Sequence, residues 1–237
     1  MIPAKINIGI TDDHTLFRKA LTDYLSRQQQ LNIVTQTSSY EELFSQLKNK
    51  RIDVLLLDIY MQTINGDEAL KIINDQYPDI KVIVLSMCTN KKMLNEMLNM
   101  GVYGLISKAD EPEKLLEAII SVAGERIFRN ELFTEVLYWS KQYQTESTKI
   151  KTKVNLTDRE KEIIRLIWEE RSNKEISEHL FIGMRSIEKA RQDIKEKLDV
   201  KTTVAVLKYA LKEGLIKPSW KYSLNGNNFF VGTDAGK

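Results

Sequence analysis

The stretch "ITDDHTLFRKAL" places two carboxylates, Asp12 and Asp13, directly after the apolar run "INIGI". Two readings are open on this stretch alone. An Asp at a helix start accepts hydrogen bonds from first-turn amides and complements the helix dipole, and "HTLFRKAL" reads as a helix with Leu16, Ala20 and Leu21 on one face. The other reading needs a third acid at another strand end, because three close carboxylates repel one another unless a divalent cation sits among them. The run "DVLLLD" ends at Asp58 and supplies that acid, while "IKVIVLS" ends at Ser86 and "VYGLIS" leads to Lys108. Singly, each has an ordinary use: Asp58 can begin a loop, Ser86 can cap a helix and Lys108 can be a solvated charge. Together they suit phosphoryl transfer to a carboxylate. Asp12 and Asp13 would hold Mg²⁺, Asp58 would be both ligand and nucleophile, and Ser86 and Lys108 would neutralise the transferred group. A carboxylate is already ionised at pH 7, so no separate base is required.

The elements that must position these residues alternate along the front half. Apolar, β-branched runs at "KINIGIT", "LNIVTQT", "RIDVLLLD", "IKVIVLSM" and "VYGLIS" are separated by helical patterns, which implies an α/β fold with a five-stranded, doubly wound parallel sheet. Ligands of such sheets bind beyond the carboxyl ends of the strands, where all five chemical residues fall. A chain of 237 residues suits two domains. Residues 1–125 carry 13 Lys/Arg against 17 Asp/Glu, whereas residues 151–217 carry 16 against 12, so an acidic front domain precedes a basic rear one suited to a polyanion. One cysteine, Cys88, excludes an intramolecular disulfide, the first residues lack a signal-peptide layout, and the longest apolar runs are too short for a membrane span. A cytoplasmic protein without membrane association is expected.

"DDHTLFRKAL", "LLLDIYMQTINGDEAL", "VIVLS" and "GVYGLISK" resemble the signature segments of bacterial response-regulator receiver domains across residues 4–124. That resemblance implies Asp58 as phosphoacceptor, Asp12 and Asp13 as Mg²⁺ ligands helped by the Tyr60 backbone carbonyl, Ser86 as switch hydroxyl and Lys108 as the invariant lysine. Two positions depart from the pattern: Gln62 replaces a usual Pro, with Gly66 kept for the turn, and Leu105 stands where a Tyr or Phe usually reports phosphorylation. Tyr103 lies one pleat away on the same strand face.

The rear half reads as a small all-α domain of four helices. "LTDREKEIIRLIWEE" opens with Thr157 and Glu160 as a capping box before a stripe at Ile163, Ile164 and Ile167. "SNKEISEHLF" is capped by Ser172, and "GMRSIEKARQDIKEKLDV" puts Ile187, Ala190, Ile194 and Leu198 on one face. "TTVAVLKYALKEGLI" is the fourth helix, ended by Gly214. A short helix, a tight connection and a helix with basic outer residues is the helix-turn-helix arrangement, although such charges can also simply solvate a bundle. "LTDREKEIIRLI", "SNKEISEHLFIGMRSIEKARQDIKEKLDV" and "VLKYALKEGLI" resemble the LuxR-type helix-turn-helix of NarL/FixJ-class regulators across residues 155–216. The resemblance implies Glu188, Lys189 and Gln192 toward base edges of double-stranded DNA and Lys174, Arg185, Arg191 and Lys195 on phosphates. Ala190 replaces a usual His. Relatives dimerise through the fourth helix, making Val206 and Tyr209 candidates for a homodimer contact, with burial in the domain's own core the alternative.

The expected organisation is a receiver at 1–125, a helical linker and tether at 126–153 with Leu132, Val136 and Trp139 on its helix, the helix-turn-helix domain at 154–217, and a tail at 218–237. The tail's Trp220, Tyr222, Phe229 and Phe230 suit packing or a partner equally. The expected function is a response regulator phosphorylated by a sensor histidine kinase and binding DNA as a transcription regulator, with no substrate turnover. The alternatives are a phosphorylation-independent DNA-binding regulator, a phosphoester hydrolase, and a regulator whose rear domain binds protein.

Overall fold

The computed structural model describes residues 5–61, 66–87, 90–143 and 154–216. Gln62, Cys88, the end of the expected tether and the 218–237 tail lie outside the described residues. In chain order the front half comprises β1 (Ile6–Thr11), α1 (Thr15–Ser26), β2 (Leu31–Thr37), α2 (Tyr40–Leu47), β3 (Val54–Asp58), α3 (Gly66–Gln76), β4 (Lys81–Ser86), α4 (Lys91–Asn99), β5 (Gly104–Ser107) and α5 (Pro112–Ala123). The strands pair in parallel in the order β2-β1-β3-β4-β5.

Alternation along β3 assigns the two faces of the sheet. Val54 and Leu56 pack with β1 residues and with Leu21, Leu25, Leu115 and Ile119 of α1 and α5. Leu55 and Leu57 pack on the other face with residues of α2, α3 and α4. β3 is buried throughout, which explains why its sequence is a continuous apolar run rather than an alternating one. Gly66 opens α3 where the chain passes close to β3's exit: a Cβ there would lie 2.8 Å from the Ile59 carbonyl oxygen.

α1 is rotated relative to its sequence reading. Its inward face is Phe17, Leu21, Tyr24 and Leu25, while Leu16 is 84% exposed and Ala20 is also exposed. The reason is geometric: the α5 layer covers the stripe running through Phe17 and Leu21, one residue round the helix from Leu16 and Ala20.

α6 (Glu131–Tyr143) shows a similar phase shift, burying Phe133, Val136 and Leu137, with Leu132 only partly buried. It packs on α4 and β5. Asn130 hooks it to the sheet, donating from Nδ2 to the Leu105 carbonyl at 2.7 Å while its Oδ1 accepts from Phe133 N at 2.9 Å.

The rear half comprises α7 (Asp158–Trp168), α8 (Asn173–Leu180), α9 (Met184–Lys197) and α10 (Thr203–Lys212). Capping boxes open α7 through Thr157 and Glu160 and α8 through Ser172 and Glu175. Burial alone would raise the Glu160 pKa, but its bonds to Lys197 and Thr157 hold it below the ordinary value. Phe181, in the left-handed region at φ 53°, turns the chain from α8 into α9. Ile187, Ile194 and Leu198 bury one face of α9 and leave the opposite face to solvent. Among the described residues, no helix is long and apolar enough to cross a membrane.

The two halves touch through a polar seam. Arg126 pairs with Glu175 at 2.9 Å, Asn173 Nδ2 donates to Glu125 at 2.5 Å, and Lys208 Nζ donates to Asn95 Oδ1 and to Asn99 Oδ1, the latter at 2.5 Å. Arg129 stacks over the Trp168 ring at 3.8 Å. α10 thereby rests on α4 and α6 as well as on α7 and α9.

Candidate functional site

The site lies at the carboxyl edge of the sheet, where five parallel strands deliver their ends to one place. β1 hands over to Asp12 and Asp13, β3 ends on Asp58, β4 ends on Ser86, and β5 leads into Lys108. Register sets their spacing: Asp58 pairs with Leu85, Ser86 with Ser107, and the Lys108 amide donates to the Ser86 carbonyl at 3.0 Å.

Lys108 Nζ donates to Asp58 Oδ2 at 2.5 Å and lies 2.8 Å from Asp12 Oδ2. All three side chains are buried, at 5%, 2% and 0% exposure for Lys108, Asp58 and Asp12. The lysine stem passes the Phe17 ring, with Nζ 5.0 Å from its centroid. Asp58 is held from both sides. Its Oδ1 accepts from the Tyr60 amide at 2.9 Å, and its backbone carbonyl accepts from the buried Tyr40 hydroxyl at 2.9 Å. Burial, and then the charges of Asp58, Asp13 and Asp67, push the Tyr40 pKa above its ordinary value, so the hydroxyl stays a donor.

The helix-capping reading of Asp12 and Asp13 is met only in part. Asp12 Oδ1 accepts from the His14 amide at 2.8 Å, but His14 is itself the N-cap of α1 and makes no side-chain cap bond. Asp12 Oδ2 and Asp13 Oδ1 are buried, the first facing Lys108 Nζ at 2.8 Å and the second His14 Nδ1 at 2.9 Å. Three carboxylates gathered at one strand edge are an all-oxygen donor set that fits a divalent cation. Among the described residues, Asp12, Asp13, His14 and Asp58 form a group whose ligand atoms lie within 4.8 Å of one another.

His14 and Tyr40 escaped the sequence reading. His14 was signalled only by adjacency to Asp13, and nothing local to "SSYEEL" points from Tyr40 to Asp58, 18 residues away. Leu105 is fully buried and shares one core with Val84, Leu94 and Phe133. Tyr103 is turned to the other half of the molecule, where burial raises its pKa and the Arg191 charge opposes that rise.

On the helix-turn-helix, Lys174, Arg185, Glu188, Lys189 and Gln192 are exposed. Arg191 is not with them. Its guanidinium donates to Asn173 Oδ1 and, at 3.4 Å, to Thr203 Oγ1, and burial lowers its pKa against the opposing influence of Tyr103 and Glu125. It joins α9 to α8 and α10 instead of facing outward, a correction to its expected place on a DNA phosphate. Lys195 is half-buried, its pKa lowered by burial and by Arg191. Val206 and Tyr209, the expected homodimer contacts, are 2% and 5% exposed, and Tyr209 meets Val154 and Glu213 of its own domain. Both therefore belong to the covered side of α10.

Residues 8–120 match the family model of the response regulator receiver domain, and residues 154–210 match that of the bacterial regulatory proteins of the luxR family. The chain is 32% identical over 217 residues to the oxygen regulatory protein NreC of Staphylococcus aureus, covering 90% of this chain and all of that one. It is 29% identical over 228 residues to the transcriptional regulatory protein DegU of Brevibacillus brevis, covering 90% and 96%. In fold it is similar to the RcsB response regulator of Salmonella typhimurium, with a TM-score of 0.56 at 23% identity over 88% of this chain and 99% of that one. A second similar structure is RcsB of Salmonella enterica serovar Typhimurium bound to promoter rprA with the phosphomimetic BeF3−, at a TM-score of 0.53 and 23% identity over 88% of this chain and all of that one.

A receiver fold followed by a LuxR-type helix-turn-helix defines a regulator of transcription that binds DNA under the control of phosphorylation. The chain belongs to the response regulators of the NarL/FixJ class.

Proposed function

We propose that Asp58 is the phosphoacceptor of this regulator and that its donor is the phosphohistidine of a sensor histidine kinase. The observation that carries this reading is the convergence of Lys108 on Asp58 and Asp12, which gives a buried nucleophilic carboxylate and a cation placed to neutralise charge on an incoming phosphoryl group. Asp12, Asp13, Asp58 and the Tyr60 carbonyl are the proposed ligands of Mg²⁺, whose chemistry when bound is to offset phosphoryl negative charge. The Tyr60 amide and the Tyr40 hydroxyl hold the Asp58 carboxylate and its backbone in line. Ser86 is the proposed switch hydroxyl. The chain takes the group onto itself and turns over no substrate. Asp58→Asn removes the nucleophile and is expected to abolish labelling by acetyl phosphate; retained labelling refutes the assignment.

In this reading the receiver spans 1–125, a linker 126–153, the DNA-binding domain 154–217 and a tail 218–237, in the cytoplasm. Glu188, Lys189 and Gln192 read base edges while Arg185, Lys174 and the half-buried Lys195 contact phosphates. The phosphorylated form acts as a homodimer on a two-fold site. Moving an equilibrium from 1:99 to 99:1 requires about 5.5 kcal/mol of differential stabilisation.

A second reading, DNA binding independent of phosphorylation, is favoured by Leu105, which lacks the aromatic ring of the usual switch and is locked in the core. Sedimentation of the protein with Mg²⁺, with and without beryllofluoride, separates the two. A monomer–dimer shift lost in Asp58→Asn supports the phospho-switch, and an unchanged monomer with bound beryllofluoride supports the second reading.

A further inference from the structure

Two residues at the start of α9 have no use inside the protein. Met184 is 47% exposed, and among the described residues of the rear domain the only other exposed large apolar side chain is Phe181, in the turn before α9. Glu188, one turn further on, is exposed and makes no hydrogen bond or ion pair among the described residues. By contrast, Gln192 already donates from Nε2 to Glu196 Oε1 at 2.9 Å, and Arg191 is turned inward to Asn173. At about 100° per residue, Met184, Glu188 and Gln192 fall within about 80° of helix surface, clear of the buried stripe through Ile187 and Ile194. A recognition helix enters the major groove with its N-terminal residues against the base edges, so Met184 and Glu188 stand where sequence is read.

The groove offers each of them one good partner. A methionine side chain is apolar, and the apolar group of the major groove is the thymine C5-methyl. A carboxylate is repelled by the phosphates unless it finds a donor, and the N4 amino group of cytosine is the donor that suits it. Exposed Arg185 and Lys189 lie beside Glu188 and offset its charge toward the backbone. Four residues of helix rise about 6 Å, close to two base steps of about 3.4 Å. We propose that Met184 and Glu188 form a specificity pair: Met184 packs on a thymine methyl, and Glu188 accepts from the N4 amino group of a cytosine about two steps away. Each half-site then carries a thymine and a cytosine at fixed separation. The inference rests on the reading of α9 as the helix that enters the major groove.

Full-length protein with Mg²⁺ and beryllofluoride is used to select duplexes from a library of randomised sequence, and the selected duplex is then varied one base at a time. Wild type, Met184→Ala, Glu188→Gln and Lys189→Ala are compared on each variant. Replacing thymine by uracil deletes only the methyl. At one thymine of each half-site this is expected to weaken wild type about fourfold, the worth of one buried methyl, and to leave Met184→Ala unaffected. Replacing the cytosine pair by a T·A pair should weaken wild type about tenfold and Glu188→Gln little. Met184→Ala should keep the wild-type salt slope, because no charge is lost, whereas Glu188→Gln should bind random-sequence DNA more tightly. Wild type indifferent to uracil at every thymine, a uracil penalty that persists in Met184→Ala, or an unchanged cytosine preference in Glu188→Gln overturns the pair. If Lys189→Ala still lowers affinity in that case, α9 remains the DNA helix and only the pair is refuted. If wild type selects no duplex, or if all three variants bind every duplex as wild type does, the placement of α9 in the groove falls with it.

Discussion

Lys108→Met tests the electrostatics of the site most directly. The substitution keeps the stem that packs on Phe17 and removes the only ammonium contacting Asp12 and Asp58 among the described residues. At an effective dielectric of about 20, charges about 2.5–3 Å apart attract by about 6 kcal/mol per pair, and most of that is cancelled by the desolvation of the charges. The net loss on breaking a buried pair from one side is about 3–5 kcal/mol, because the remaining charge stays buried without compensation. Here two carboxylates, 2% and 0% exposed, are left. With a urea m-value of about 2 kcal/mol/M, the midpoint of the receiver transition in metal-free buffer is expected to fall by about 2 M. Protection of the β3 amides against hydrogen exchange reports the same loss locally. Added Mg²⁺ should recover part of it by neutralising the same acids. A midpoint shift below about 0.5 M in metal-free buffer would refute the reasoning, since the acids would then be compensated by something other than Lys108.

Three further outcomes are expected. Tyr40→Phe leaves the buried Asp58 carbonyl without its 2.9 Å donor and should cost about 1–2 kcal/mol by urea unfolding; a neutral result would remove Tyr40 from the support of the site. Burial lowers the Lys208 pKa from 10.5 to about 8, so above pH 8 the exposed lysine of an opened protein binds more protons than the docked one. Closure of α10 on α4 should therefore tighten as pH rises from about 8 to 10, read by amide exchange across residues 203–212, and loosening over that range would contradict the assignment. Lys189→Ala should weaken DNA binding and reduce its salt dependence, whereas Arg191→Ala should act mainly on stability, because Arg191 is bonded to Asn173 and Thr203. Equal salt slopes for wild type and Lys189→Ala would take Lys189 off the DNA face.

The acidic edge was legible because strand ends are legible. Apolar runs of period two or of continuous burial stop where a polar residue begins, and parallel connectivity brings every carboxyl end to one edge, so Asp12, Asp58, Ser86 and Lys108 converge by topology alone. The two capping boxes were legible for a similar reason, since Thr157–Glu160 and Ser172–Glu175 close over three residues.

Helix phase was less so. In α1 and α6 two neighbouring stripes are both apolar, and the layer that packs on the helix selects Phe17 over Leu16 and Phe133 over Leu132.

What the sequence by itself determined is therefore local and periodic: the alternating strands and helices, the caps, the acids at strand ends and the helix-turn-helix spacing. Only the tertiary structure decided which groups face one another across long separations. Tyr40 bonds the Asp58 carbonyl, Lys208 reaches Asn95 113 residues away, and Arg191 turns inward from a helix on which Arg185, Glu188, Lys189 and Gln192 face out. The physical reason is that a side chain's partner is set by which layers pack together, and periodicity fixes a residue's face on its own element without fixing what covers that face.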